Sequence, residues 1–212
     1  MKNFLKNKDF DKVLENLHTL LKEKIKRTKL KSLVLGISGG VDSACVAAIA
    51  KPVCNELNIP LIGRYIHIES NKKEEKDRAE LVGKYFCDDF KSIDLTKHFN
   101  TLKNLDEIDN EERTYNEYDY QDKRIRLGNI KARTRMVYLY NLASKNGGLV
   151  LSTDNLTEYY LGFWTLHGDV GDFGLIQNLW KNEVHELTLF LTRKLNEEGK
   201  RILSKCSLAN AT

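Results

Sequence analysis

The chain has 212 residues, of which 41% are hydrophobic, and carries a formal net charge of +4 at pH 7. This length suffices for one sizeable core but leaves little room for a second catalytic domain, so a single domain over 1–212 is expected. Basic and acidic residues are interspersed, so the mild positive charge demands no nucleic acid and none is expected as a partner. The charged N-terminus is unlike a signal peptide, and no apolar run approaches membrane-spanning length.

The first element is predicted to be an amphipathic helix, because apolar residues recur at spacings of three and four from Phe10 to Ile25. An apolar strand follows from Leu33. The small residues after it predict a helix that begins near Asp42, which Pro52 should kink or interrupt. The four cysteines form no CxxC pair and no metal-ligand spacing, so reduced structural thiols in a cytoplasmic protein are expected.

Strands and helices alternate along the rest of the chain. The predicted elements are a strand at 61–68, a charged helix at 71–86, a strand at 91–95, a helix at 123–145, a strand at 147–152 and a last helix at 181–196. Such alternation predicts an α/β fold with a doubly wound parallel sheet, helices on both faces and right-handed crossovers. In that fold, ligands bind at the carboxyl ends of the strands.

The acidic segment from Asn104 to Asp122 contains few aliphatic residues and three tyrosines. It is interpreted either as a mobile loop or lid or as a plain solvated linker.

The stretch LVLGISGGVDSA, Leu33–Ala44, takes an apolar strand through a glycine-rich turn into a helix. Gly39 and Gly40 lack a Cβ, so the backbone N–H groups of the turn can close around an anion. Ser38 and Ser43 add hydroxyl groups, and the helix N-terminus favours negative charge at the same place. The stretch therefore predicts a phosphate site, with an ordinary strand-to-helix turn as the alternative.

Asp42 lies beside this predicted site. A carboxylate next to a phosphate repels it unless a cation lies between them, so Asp42 is interpreted as a Mg²⁺ ligand. The lysine-bearing GxxxxGK[ST] pattern is absent from the sequence, which argues against NTPases that cleave at the γ-phosphate.

A second group of polar residues follows the predicted fourth strand. Thr153 and Asp154 come at the strand end, and Glu158 falls one turn into the next helix. Glu158 could join Asp42 in holding Mg²⁺, with Thr153 against the nucleotide. Alternatively, Asp154 or Asn155 caps that helix and Glu158 is its reciprocal partner.

Lys131, Arg133 and Arg135 alternate along the predicted long helix. They could bind phosphates or a carboxylate, or they could form a solvated basic face paired with the acidic segment. Lys181 opens the last predicted helix, where a cation is unfavourable, so it is expected to face a phosphate. The loop HGDVGDFG, 167–174, is on its own interpreted as a turn.

Taken in order, SGGVDS, GNIKARTRM, STDNLTE, GDVGD and NLWKNEV resemble the motifs of the NAD synthetases over about Asp9 to Asn196. SGGVDS resembles the PP-loop and alone would fit other PP-loop ATP pyrophosphatases, whereas the second and third motifs are more particular to this family. The resemblance implies a Rossmann-like fold of the adenine nucleotide alpha hydrolase type. It also implies a homodimer and a two-step reaction: ATP adenylates deamido-NAD, and ammonia then displaces AMP to give NAD.

The resemblance also implies roles for individual residues. ATP would contact Gly36, Ser38, Gly39, Gly40, Asp42, Ser43, Arg64, Thr153 and Lys181, with Arg64 flanking the adenine. Deamido-NAD would contact Asn129, Arg133, Asp169 and Asp172. The catalytic residues would be Asp42, Ser43, Glu158 and Lys181, and Mg²⁺ would be held by Asp42 and Glu158.

The sequence departs from the family at Ser152, where glycine is usual, and at Leu166, often a lysine. The chain stops at Thr212, whereas the family continues into a helix-rich tail. It is also too short for the amidohydrolase domain of some members, so free ammonia, or ammonia from a partner, is expected. The sequence leaves two alternatives: another PP-loop adenylating enzyme, such as an amidotransferase subunit or tRNA-modifying enzyme, or an inactive nucleotide-binding remnant.

Overall fold

The structure, a computed structural model, describes residues 9–69, 72–104 and 117–209, with side chains throughout except at 117–121. Its helices are α1 Phe10–Thr28, α2 Val41–Leu57, α3 Lys73–Phe86, α4 Thr96–Lys103, α5 Glu117–Lys145, α6 Leu156–Leu161, α7 Lys181–Thr192 and α8 Glu197–Ser207. Its strands are β1 Ser32–Gly36, β2 Leu61–His67, β3 Asp89–Asp94, β4 Gly148–Ser152 and β5 Phe173–Gly174.

The five strands form one parallel sheet in the order β3-β2-β1-β4-β5. This confirms the predicted doubly wound α/β fold. The strand order changes direction between β1 and β4, because the chain leaves β1 toward β2 on one side while β4 pairs on the other. Crevices form at the carboxyl ends of strands at such a point.

Alternate residues of β1 enter two apolar cores on the two faces of the sheet. Leu33 and Leu35 pack with residues of α1, α2, α3, α7 and α8, whereas Val34 packs with residues of α4 and α5. This period of two is what a strand covered on both faces requires. Within the described residues, none of the helices has the length and apolar character needed to cross a bilayer.

The structure corrects several predicted boundaries. Of the two effects predicted for Pro52, an interruption is excluded: helix α2 continues through it to Leu57, because the buried side chains of Ile49 and Val53 hold the helix in the core although one backbone donor is missing. Helix α5 begins six residues earlier than predicted, at Glu117, so the end of the acidic segment is helical. Residues 105–116, which carry the rest of the lid or linker prediction, lie outside the described residues.

The C-terminal prediction is also wrong. Helix α7 ends at Thr192, and a further helix, α8, follows it. Asn196, predicted to end a helix, instead begins one: its side chain accepts a hydrogen bond from Gly199 N at 2.9 Å. Helix α4 and the short strand β5, which pairs with β4 in a loop interpreted as a turn, were not predicted.

Candidate active site

The glycine-rich turn after β1 is held in shape by its own two serines. Ser38 N donates to Ser43 Oγ, Gly40 N donates to Ser38 Oγ, and Ser43 Oγ donates to Gly40 O, each at 3.2 Å. Gly39 has a φ of +84°, and a Cβ there would lie 2.3 Å from the carbonyl oxygen of Glu75. The turn therefore requires glycine, as the sequence indicated.

Helix α2 begins directly after this turn. Its N-cap, Gly40, has no side chain to accept from the first-turn N–H groups. These groups and the positive end of the helix dipole lie where an anion would bind.

The turn opens into a cleft of about 640 Å³ at the carboxyl ends of the strands. Most of the predicted site residues line it: Gly36, Ser38, Gly40, Asp42, Arg64, Thr153, Glu158, Asp169 and Lys181. A depression of about 700 Å³ along α4 is wide open to solvent and contains no predicted site residue. The cleft is therefore the candidate active site.

Three charged side chains meet in the cleft. The Nζ of Lys181 donates to Asp42 Oδ2 and lies 3.7 Å from Glu158 Oε1. The Lys181 ammonium is thus shared by two carboxylates that come from separate strand ends. The sequence predicted that Asp42 and Glu158 lie close together but not that Lys181 lies between them.

Asn155 joins the two carboxylates. Its Oδ1 accepts from Glu158 N and its backbone N–H donates to Glu158 Oε2, both at 3.1 Å, which is a capping box at the start of α6. Its Nδ2 donates to Asp42 Oδ1 at 3.1 Å. The alternative role of Glu158 as a capping partner is therefore confirmed, and it leaves Glu158 Oε1 facing the cleft.

Several carboxyl groups in this region hold their protons more tightly than usual. Burial raises the pKa of Glu158, and the nearby Asp42 carboxylate raises it further, while Lys181 opposes the change. Burial also raises the pKa of Asp154 and of Asp169. A concentration of partly buried carboxyl groups favours a bound cation.

The donor set fits a divalent cation. Asp42 and Glu158 each direct one oxygen at a single positive charge, and Mg²⁺ is commonly held by one or two carboxylates together with substrate phosphates. Among the described residues, no group of three or more His, Cys, Asp and Glu side chains could hold a metal alone. A metal here would thus depend on a bound phosphate ligand.

Lys181 is positioned by a contact between helices α6 and α7. Its backbone N–H donates to Thr157 Oγ1 at 2.9 Å. Sequence reasoning missed Thr157, and nothing local to it signals the contact, because α7 begins 24 residues later.

Thr165 gathers residues beside Asp169, which lines the cleft. Its Oγ1 donates to Asn129 Oδ1 at 2.9 Å, and its N–H donates to both oxygens of Asp169, at 2.9 and 3.1 Å. Arg133 Nε donates to Leu166 O at 3.1 Å. Three of the four predicted deamido-NAD residues therefore lie around one segment, which the sequence analysis did not single out.

The fourth, Asp172, is placed differently. Its Oδ2 accepts from Val150 N at 2.9 Å, so its carboxylate binds the edge of β4, and it does not line the cleft. Arg64 lines the cleft, but its terminal nitrogens donate to Gly63 O and to Asp89. Its Nε is buried and has no hydrogen-bond partner among the described residues.

The basic residues of α5 do not form a single solvated face. Lys131 pairs with Glu69 at 2.7 Å, Arg133 bonds the backbone near Thr165, and Arg135 enters the cleft, where its Nε donates to Ile66 O at 3.3 Å. Burial lowers the pKa of Arg135. Arg135 thus adds positive charge on the side of the cleft where β2 ends.

The sequence matches the family model described as NAD synthase over residues 13–208. A protein named NH(3)-dependent NAD(+) synthetase from Finegoldia magna is 33% identical over 184 residues, which cover 86% of this chain and 70% of that protein. One of the same name from Mycoplasma genitalium is 38% identical over 178 residues, 83% of this chain and 66% of that protein. The chain thus spans about two thirds of the length of these curated relatives.

A comparison with solved structures finds the same family. The NH3-dependent NAD synthetase of Campylobacter jejuni, determined with a nitrate ion, superposes with a TM-score of 0.76 at 27% identity. The match covers 96% of this chain and 80% of that one.

Proposed function

The chain belongs to the NAD synthase family, whose members are ligases that form a carbon–nitrogen bond, and we propose that it converts deamido-NAD to NAD with ATP and ammonia. The products besides NAD are AMP and pyrophosphate. The observation that carries this proposal is a cleft lined both by the glycine-rich turn and by Asp169, whose carboxylate accepts from Thr165, the residue that also bonds Asn129.

ATP binds with its phosphates at the glycine-rich turn. The first-turn N–H groups of α2 and the ammonium of Lys181 stabilise the negative charge that grows on the departing pyrophosphate. Thr153, at the end of β4, contacts the nucleotide. We propose Mg²⁺ as the cofactor, held by Asp42 and Glu158, where it would neutralise phosphate charge.

Deamido-NAD binds where Asn129, Arg133 and Asp169 meet around Thr165. Its nicotinate carboxylate attacks the α-phosphorus of ATP, the bond to pyrophosphate breaks, and an acyl-adenylate forms. Ammonia then attacks the acyl carbon, loses a proton and releases AMP. No side chain acts as nucleophile, so the protein accelerates the reaction by positioning and by electrostatic stabilisation.

We propose a homodimer, supported by exposed apolar side chains on helix α5 and at the end of helix α6 and just beyond it, which we together name the α5–α6 face. Its exposed side chains include Val137 (72% exposed), Leu161 (75%) and Phe163 (75%). Tyr140 Oη, on α5, donates to Val170 O in the loop that precedes β5. Exposed apolar patches of this kind usually mark an interaction site.

A cytoplasmic location is also part of the proposal. It rests on the cysteines, all four of which are free, as expected of a protein kept in a reducing compartment.

Ligand-dependent thermal unfolding tests the substrate assignment. Deamido-NAD should raise the melting temperature further when ATP analogue and Mg²⁺ are present, because both ligands bind the native state in one cleft. A response to ATP analogue alone would instead favour another PP-loop enzyme. ATP binding without turnover would favour a nucleotide-binding remnant.

A further inference from the structure

Asn155 contacts both carboxylates of the charged cluster. It is fully buried, at 0% exposure, and all three of its side-chain and backbone contacts described above are 3.1 Å long. A buried amide with every contact at normal hydrogen-bond length holds its neighbours in fixed orientations.

The capping contact determines which way the amide points. Glu158 N can only donate, so the Asn155 oxygen must face it and the NH₂ group must face Asp42. The start of helix α6 therefore sets the direction of the donor that reaches Asp42, 113 residues away in sequence.

The same residue leaves one oxygen of each carboxylate available. Asn155 occupies Asp42 Oδ1 through its side chain and Glu158 Oε2 through its backbone. The remaining oxygens, Asp42 Oδ2 and Glu158 Oε1, both face Lys181 Nζ. Two carboxylates from different strand ends are thus aimed at a common point by one amino acid.

We propose that Asn155 is a positioning residue that orients Asp42 and Glu158 toward the cation bound with the ATP phosphates. The proposal rests on the proposed function, since that function supplies the cation and the nucleotide. Residues that orient metal ligands typically change metal affinity 10- to 100-fold when they are replaced.

Replacing Asn155 by serine separates its two roles. Serine is a good N-cap, so Asn155→Ser keeps an acceptor for Glu158 N, but its shorter side chain cannot extend a donor to Asp42. Asn196→Ser is the matched control, because the Asn196 side chain also caps a helix, by accepting from Gly199 N, and makes one further bond, from Tyr85 Oη, but does not line the cleft.

The experiment measures the binding of a non-hydrolysable ATP analogue by calorimetry across a Mg²⁺ titration. Asn155→Ser should raise the Mg²⁺ concentration needed for half-maximal binding about tenfold. Asn196→Ser should leave it unchanged, although both variants should lower the melting temperature to a similar small extent. In an Asp42→Asn background, Asn155→Ser should have little further effect, because the two residues act as a unit.

Two results would overturn the role of Asn155 without affecting the proposed function. One is a Mg²⁺ dependence in Asn155→Ser equal to that of the unsubstituted protein. The other is full additivity of the effects of Asn155→Ser and Asp42→Asn on that dependence. If the unsubstituted protein bound the analogue with no Mg²⁺ dependence, the proposed cofactor and this inference would both fail.

Discussion

Lys181 Nζ donates to Asp42 Oδ2, which links the first turn of α7 to the first turn of α2 across 139 residues. The ammonium is within 3.7 Å of Glu158 as well. It therefore offsets part of the negative charge of the two carboxylates proposed to hold Mg²⁺, and it lies beside the turn proposed to hold the phosphates. The catalytic proposal depends on this shared position.

Replacing Lys181 by methionine removes that charge while keeping much of the side-chain volume. Steady-state kinetics should show kcat/KM reduced at least tenfold, because a donor to the transition-state phosphate is lost and such donors contribute about 10²–10³ in rate. The pKa of Glu158 should rise further, since Lys181 opposes its elevation. A carboxyl titration followed by NMR measures this second effect.

Lys194→Met is the control for that variant. Lys194 also pairs with an aspartate, Asp11 at 2.7 Å, but on the surface away from the cleft. The Lys194→Met variant should therefore have the same kcat/KM as the unsubstituted protein. If Lys181→Met and Lys194→Met had equal activity, the Lys181 ammonium would have no role in the mechanism.

Gly39→Ala should damage both the fold and the phosphate site. The left-handed conformation costs a residue with a Cβ about 1–3 kcal/mol, and the clash with Glu75 O adds to that cost. Denaturant unfolding should show a loss of about 2 kcal/mol or more, and ATP binding should weaken.

Gly128→Ala provides the contrast. Gly128 lies inside helix α5, and a Cβ there would meet nothing within 4 Å. This variant should gain about 0.5–1 kcal/mol, because alanine is the better helix former. Destabilisation by Gly128→Ala equal to that by Gly39→Ala would refute the turn argument.

The native cysteines should be unreactive. Burial raises the pKa of Cys45, Cys54 and Cys87 to about 12 and that of Cys206 to about 11. A thiol reagent at pH 8 should modify none of the four until denaturant is added, because the thiolate is the reactive form. Rapid labelling of the native protein would contradict this packing.

The raised pKa values of the buried thiols predict that the protein loses stability at alkaline pH. Their folded pKa values lie above the ordinary value of 9.0, so between pH 9.0 and about 12 the folded state retains thiol protons that the unfolded state releases. The thiol contribution to the free energy of unfolding therefore falls as pH rises above 9.0. Comparing the protein with Cys45→Ala across this range isolates the contribution of one thiol.

Val137→Glu should separate the proposed dimer. A charge on the α5–α6 face would be desolvated in an interface, so light scattering should report monomers. Leu20→Glu, at a position 54% exposed on α1, is the control and should leave the mass unchanged. A Val137→Glu variant of unaltered mass would exclude this face as the interface.

The sequence predicts what local chemistry determines. Gly39 and Gly40 between a strand and a helix define the turn, and the strand pattern around Leu33 defines the sheet. Helix α8 was not predicted, although its buried residues Ile202, Leu203 and Cys206 recur at the spacing of an amphipathic helix.

Long-range contacts could not be predicted in the same way. The bonds from Asn155 and Lys181 to Asp42 join residues 113 and 139 positions apart, and only the fold brings them together. Asp172, expected by resemblance to contact the substrate, accepts a hydrogen bond from Val150 N of β4, a contact that no sequence pattern signals. The sequence thus predicts candidate residues, many of which the fold brings to one cleft, but it does not predict the contacts between them.

The most direct test of the account incubates the purified protein with ATP, Mg²⁺, deamido-NAD and ammonium, and quantifies NAD, AMP and pyrophosphate together. We expect equal amounts of all three, and none when deamido-NAD is omitted. Pyrophosphate formed without deamido-NAD, or no turnover despite ATP binding, would contradict the assignment of this cleft to NAD synthesis.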